Sequence, residues 1–351
     1  MKTARSSNIE LLRIITICGV VVLHYNGNFA LNLVENGSAN FFLLQFLEAL
    51  FIGAVNLFVL TSGYFLCRSQ NRKAIKALEL VVQVMLIGMG KYLAPVLLSG
   101  APFSLRSLVF SSIPNNYYVT LYLALYLLSP YINLATNKLS DKQLGVLVGL
   151  CGLLFAFWPT VLDMVYLVTG FNFNGMYPTN SGGSQYGYSF LNFALMYLLG
   201  AYLHRVGPGR KSTNAIGAAL CVGIVFVWQL FYPGVARAYS NPAVILLAVF
   251  VFRLFLSVNI QSRLVNTLAK GAFTCFLLHD FFLHHIHIEE VVNRSLPHLL
   301  AHIVVWVCLI FLMCWLVWRV YEWVTRPVFR LLERPLQKID ALLSPTTQKE
   351  V

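Results

Sequence analysis

The chain has 351 residues, of which 58% are hydrophobic and only 11% are charged, and its mean hydropathy is +0.71. This composition excludes an ordinary soluble domain and is typical of an integral membrane protein. The formal net charge of +12 would suit a protein that binds nucleic acid, but the basic residues lie in alternate loops, which argues against that function.

The apolar segments are about twenty residues long and do not alternate in polarity, so they predict membrane-spanning helices rather than a β-barrel. We predict an all-α integral membrane protein with about ten transmembrane helices, a main domain over 1–335 and a tail over 336–351. The approximate spans are 8–28, 42–66, 75–99, 116–136, 144–168, 187–205, 213–232, 240–258, 267–287 and 299–323.

Lysine and arginine are distributed asymmetrically between the two sets of loops. Basic residues are frequent before the first span, after every second span and in the tail, whereas the opposite loops hold only Arg106, Arg237 and Arg294. Cytoplasmic loops carry the excess of lysine and arginine, so we predict that both termini are cytoplasmic.

The first span, 8–28, contains two ionisable residues that are unusual inside a membrane, Arg13 and His24. At about 100° per residue, the eleven steps between them make about three full turns, so both side chains lie on nearly the same helix face, roughly 16 Å apart along the axis. Glu10 shares that face and can pair with Arg13. His24 could be a buried structural histidine or a general base, and the arginine on its face favours the functional interpretation.

The second span runs into a basic segment that contains Arg68, Arg72 and Lys73. The positive-inside rule alone could explain these charges. They would also suit a phosphorylated cytosolic molecule such as coenzyme A, since arginine and lysine form charge-assisted hydrogen bonds with phosphate.

The segment 273–290 is rich in histidine. His279 is predicted to lie deep in the membrane beside Asp280, which makes it a candidate for the active cavity. A metal site formed by the histidines nearer the outer face lacks a second strong ligand pair, so we assign no metal. These histidines are His284, His285 and His287.

Three other features leave alternatives open. The uncharged loop 169–187 is rich in aromatic, Asn, Gly and Ser residues and fits either a flexible loop or a surface that contacts glycans. Lys91 could extend to the membrane interface or pair with Glu48. The tail is a basic amphipathic stretch that we expect to lie on the inner leaflet.

In its first span and in several later segments, the chain resembles membrane-bound acyltransferase family 3, the O-acyltransferases of bacterial surface polysaccharides. The signature of the first helix, an arginine, ten residues and a histidine, is matched by Arg13 and His24. Family-like segments also occur at 56–66, 117–133, 191–204 and 273–280, so the resemblance spans residues 8–335.

The resemblance implies a multi-pass protein of the bacterial plasma membrane with a catalytic His24 and with Arg13 engaging an acyl-CoA donor. It also places Arg68, Arg72 and Lys73 at the family's basic motif, although the motif is looser here. Many members of this branch have two adjacent histidines in the first helix, whereas Leu23 precedes His24 here. A second catalytic group must therefore come from elsewhere, and His279 is the candidate.

We therefore expect a membrane-bound O-acyltransferase that transfers an acyl group, most simply acetyl from acetyl-CoA, across the membrane. The acceptor would be a hydroxyl of a surface polysaccharide or of its lipid-linked precursor. Acetyl-CoA serves as a co-substrate, and we expect no permanently bound cofactor and no nucleic acid partner. The sequence is compatible with a homo-oligomer and does not determine the oligomeric state. The alternatives are a transporter with an Arg/His proton or anion pathway and a non-catalytic scaffold.

Overall fold

The computed structural model of the protein describes residues 6–179, 183–343 and 345. All regular structure in this part of the chain is helical. The α-helices are α1 (Ser7–Tyr25), α2 (Leu31–Leu33), α3 (Ala39–Phe51), α4 (Ala54–Leu66), α5 (Ala74–Ser99), α6 (Leu105–Ser111), α7 (Tyr117–Asn137), α8 (Asp141–Gly152), α9 (Trp158–Thr169), α10 (Phe190–Val206), α11 (Lys211–Gln229), α12 (Pro233–Ala236), α13 (Pro242–Leu256), α14 (Arg263–Leu268), α15 (Ala272–Leu283) and α16 (Leu296–Leu342).

Seven helical segments among the described residues are long and apolar enough to cross a membrane: Ser7–Leu33, Ala39–Leu66, Ala74–Ser99, Tyr117–Asn137, Asp141–Thr169, Lys211–Gln229 and Leu296–Asp340. The other predicted spans contain shorter helices, α10, α13 and α15, of 17, 15 and 12 residues. A 12-residue helix is only about 18 Å long, less than the roughly 30 Å of a bilayer core. The helical membrane architecture is confirmed, while the count of ten spans and the orientation stay predictions.

Local sequence explains many of the helix ends. Ser38, Asn116 and Ser189 each accept a hydrogen bond from a backbone N–H in the first turn of the following helix. Ser140 and Gln143 form a reciprocal capping box at the start of α8. Gly100, with φ of 67°, ends α5 in the left-handed conformation that glycine tolerates.

The chain divides into two compact units. Unit 1 consists of residues 1–67, 139–269 and 286–309. In it, α1 packs against α3, α4, α13 and α14, and α4 crosses α10 closely. A β-carbon at Gly63 would lie 2.2 Å from the carbonyl oxygen of Tyr197, so only glycine allows this approach of the two helices.

Unit 2 consists of residues 68–138, 270–285 and 310–351. Here α5 packs against α6 and α15, and the Gln83 side chain of α5 donates to the Thr274 hydroxyl of α15 at 2.8 Å. The carboxyl-terminal part of α16 also contacts α5, since the Tyr321 hydroxyl donates to the carbonyl of Glu79 at 3.3 Å. α16 continues through the predicted boundary at 335/336, which stays a prediction.

Candidate active site

Helix α1 carries both ionisable residues that the sequence singled out. It runs unbroken from Ser7 to Tyr25, so Arg13 and His24 have the predicted helical spacing on one continuous helix. The predicted ion pair is confirmed, because Arg13 Nη1 lies 3.0 Å from Glu10 Oε2. About a third of the Arg13 side chain is exposed, against 12% for Glu10. The carboxylate therefore orients the guanidinium while leaving part of it accessible to a ligand.

His24 lies in the last turn of α1, immediately before a change of helix type. Asn26–Ala30 form a π-helix, a rare form that occurs frequently at functional sites. The imidazole is half-buried and its Nδ1 atom is shielded from solvent. The ring is therefore partly accessible to a ligand, while one of its nitrogen atoms is enclosed by protein.

The residues next to His24 fix the end of the helix. Tyr25 is fully buried, and its hydroxyl lies 2.9 Å from His302 Nδ1 on α16. The Asn26 side chain donates to the Leu44 carbonyl at 3.2 Å. His302 was not predicted from the sequence, although it lies in an apolar span as His24 does, and that position is the signal that would have identified it.

His279 is buried in unit 2, on α15, with only 3% of its surface exposed. Its Nδ1 lies 2.8 Å from the carbonyl oxygen of Cys275. A carbonyl only accepts hydrogen bonds, so Nδ1 carries the proton and Nε2 holds the basic lone pair of the neutral ring. His279 is thus set in one tautomer, which suits a base or a hydrogen-bond acceptor.

The basic segment between α4 and α5 contains three residues in different environments. Arg68 is exposed, and Lys73 is exposed with its ammonium 3.2 Å from Glu333 Oε1. Arg72 is buried, with 2% of its surface accessible. The three basic residues look alike in the sequence, but in the structure Arg68 and Lys73 are accessible and Arg72 is enclosed.

Arg72 holds the segment together through several hydrogen bonds. Its Nε donates to the Ser129 hydroxyl at 2.8 Å, and its Nη1 donates to the carbonyls of Ser69 and Asn71 at 3.1 and 3.0 Å. The guanidinium also lies 5.5 Å from the centre of the Tyr126 ring. Arg72 thus fixes the shape of the segment, and a direct contact with the donor stays a prediction.

The histidine-rich segment shows no metal-like grouping. In the part of the chain that the structure describes, no three His, Cys, Asp or Glu side chains converge as metal ligands would. His284 and His285 instead bond through Nδ1 to carbonyls one turn earlier in α15, at 2.7 and 2.8 Å. His287 Nδ1 lies 3.3 Å from Glu289 Oε1, and hydrogen bonds, including this one, lower the pKa of that exposed carboxyl.

Of the two alternatives for Lys91, extension to the membrane interface stays a prediction, and the pairing with Glu48 is wrong because Glu48 has another partner. Glu48 pairs with Arg237, whose Nη1 lies 3.7 Å from Glu48 Oε2. The two residues are 189 positions apart, which is why the sequence did not reveal the pair. The loop 169–187, for which a flexible loop and a glycan-contact surface were the alternatives, is described except for residues 180–182.

Comparison with family models gives one match, to an acyltransferase domain of family 3, over residues 6–322. No curated protein and no solved structure matches the chain significantly. The matched region includes α1 with Arg13 and His24, the basic segment 68–73 and His279. Since it covers most of the 351 residues, the chain belongs to the acyltransferase 3 family.

Proposed function

We propose that this membrane acyltransferase is an O-acyltransferase of the bacterial plasma membrane. It transfers acetyl from cytoplasmic acetyl-CoA across the membrane to a hydroxyl of a surface polysaccharide or its lipid-linked precursor. The family match over residues 6–322, together with Arg13 and His24 on one continuous helix, is the observation that carries the proposal.

The donor is assigned to the cytoplasmic side because the accessible cations are there. Under the predicted topology, Arg68 and Lys73 lie at the cytoplasmic ends of α4 and α5. Both are exposed, and the ion pair between Lys73 and Glu333 is one that phosphate oxygens can replace. Arg72 supports this segment from inside. Arg13, partly exposed beside Glu10, would bind the carbonyl or phosphate end of the donor.

His24 is the proposed base. The neutral imidazole takes the proton of the acceptor hydroxyl, and the hydroxyl oxygen attacks the thioester carbonyl. The C–S bond then breaks, and the imidazolium returns the proton to the sulfur, so that coenzyme A leaves as the thiol. Transfer through an acyl-enzyme divides the same overall reaction into two steps. His279, held in the tautomer with a basic Nε2, is the second proposed catalytic group. Membrane lipids surround the spans.

The decisive test is His24→Ala. Loss of a general base costs roughly 10²–10⁴ in rate, so acetylation of surface glycan should fall at least a hundredfold at matched membrane abundance. His285→Ala is the matched control, because that ring is exposed and bonds to its own helix. Mass spectrometry of surface glycan measures the product. Near-normal acetylation by His24→Ala would favour a transporter or a scaffold.

A further inference from the structure

A rigid turn in unit 1 presents tyrosine rings to solvent. Tyr186 and Tyr188 are each about half exposed, at 49% and 47%. Gln185 and Tyr186 have φ angles of 51° and 52°, in the left-handed region that residues with a β-carbon rarely adopt. The backbone of the turn is therefore held in a conformation that is rare for residues with a side chain, and this conformation fixes where Tyr186 and Tyr188 lie.

The segment after α12 supports this turn. The backbone N–H of Tyr239 donates to the Tyr186 carbonyl at 2.8 Å. A β-carbon at Gly187 would lie 2.4 Å from the backbone nitrogen of Ser240, so the two segments are in direct backbone contact. The Tyr188 and Tyr239 rings are tilted against each other with centroids 5.0 Å apart. Tyr186, Tyr188 and Tyr239 therefore lie together on two backbone segments that are in direct contact.

Buried amides on neighbouring helices anchor that support. The Asn56 side chain of α4 donates to the Tyr239 carbonyl at 2.8 Å. Asn192 of α10 in turn donates to Asn56 Oδ1 at 3.2 Å. Asn56 and Asn192 are each 1% exposed. The tyrosine surface is therefore tied to the helical core of unit 1.

A charged residue follows the short helix that packs near Tyr186. Tyr186 packs near Gly234 of α12, and Arg237 directly follows that helix. Arg237 Nε donates to Gln229 Oε1 at 2.9 Å, and its Nη2 donates to Gln45 Oε1. Burial lowers the pKa of Arg237, and the nearby Glu48 carboxylate opposes that shift. The guanidinium is partly exposed, and its Nη1 lies 3.7 Å from Glu48 Oε2.

We infer that Tyr186, Tyr188, Tyr239 and Arg237 form a binding site for a neutral saccharide. Tyrosine rings offer flat apolar faces for the C–H side of a sugar and hydroxyls for its polar rim. The guanidinium is held in place by Gln229 and Gln45 and supplies a fixed polar group, and the loop 169–187 carries no charged residue. An aromatic surface whose nearest arginine is already engaged with Glu48, Gln229 and Gln45 favours neutral hydroxyl groups over a phosphate or an anionic lipid.

The inference rests on the proposed function, because it makes this surface the acceptor site of the transferase. Tyr186 and Arg237 belong to loops that the charge distribution predicts to face outward, and Tyr188 lies at the outer end of the predicted span 187–205. The acceptor would thus be held on the side opposite the donor cations.

The test measures binding and transfer separately. The probe is the surface polysaccharide of the host strain, stripped of esters by mild alkali, with purified full-length protein in detergent. In the double variant Tyr186→Asn/Tyr188→Ala, Asn tolerates the left-handed turn while both rings are lost. We expect at least tenfold weaker polysaccharide binding, equivalent to about 1.4 kcal/mol. The KM for polysaccharide should rise, and the KM for acetyl-CoA should not.

Two further variants keep the test decisive if the double variant folds poorly. Tyr186→Phe retains the ring and should retain most of the binding. Tyr166→Ala removes a tyrosine of equal exposure on α9 and should leave binding and transfer unchanged. Equal binding by the wild type and the double variant would overturn the inference. If wild-type protein binds polysaccharide through these rings but transfers no acetyl group, the proposed function fails and the saccharide site stands.

Discussion

Arg72→Met tests whether the basic segment depends on one buried cation. The substitution keeps an unbranched apolar side chain but removes hydrogen bonds to Ser129, Asn71 and both oxygen atoms of Ser69. At about 1 kcal/mol for each of these four bonds, the loss is roughly 4 kcal/mol. That is a large part of the 5–15 kcal/mol that typically stabilises a folded protein.

The assay is thermal unfolding of the purified protein in detergent, combined with calorimetry of acetyl-CoA binding. Arg68→Met is the matched control, since Arg68 belongs to the same segment and is exposed. We expect Arg72→Met to lower the unfolding temperature by several degrees and Arg68→Met to leave it unchanged. Arg68→Met should instead weaken binding of acetyl-CoA. Equal unfolding temperatures for the two variants would refute the supporting role of Arg72.

Two other predictions concern topology and the donor. A cysteine placed at Asn172 should react with an impermeant thiol reagent from outside, and one placed at Asn71 only after the membrane is opened, both in a background without the native cysteines. The reverse pattern would overturn the orientation. Arg13→Lys should raise the KM for acetyl-CoA and restore only part of the activity lost in Arg13→Ala, because an ammonium lacks the planar fork of a guanidinium. Equal KM values for Arg13→Lys and the wild type would show that charge alone suffices.

Interactions between residues close in sequence were predictable. The Glu10–Arg13 pair follows from helical spacing, because three residues make almost one turn. The face shared by Arg13 and His24 follows from the same periodicity. These predictions needed only an unbroken helix, which the apolar run from Ser7 onward provides.

Interactions over long sequence distances were not predictable. The predicted span 42–66 contains a break between α3 and α4 at Ile52 and Gly53, where Gly53 meets the backbone of α13. The partner of Glu48 also comes from a distant segment. Composition likewise could not separate the buried Arg72 from the exposed Arg68, because their environments depend on where α7 packs.

The N-terminal end of α5 is capped by a residue that is synthesised much later, and this affects when the basic segment can fold. Lys73, at the N-cap position, does not cap the helix with its own side chain, and Asp340 accepts a hydrogen bond from the Ala74 N–H at 2.7 Å instead. Glu333 and Asp340 contact the basic segment, but the ribosome synthesises them more than 250 residues after it. A nascent chain that stops short of Asp340 already contains the whole of α5, yet the first turn of that helix still lacks this cap. The final contacts of this segment therefore form only after residue 340 has been synthesised.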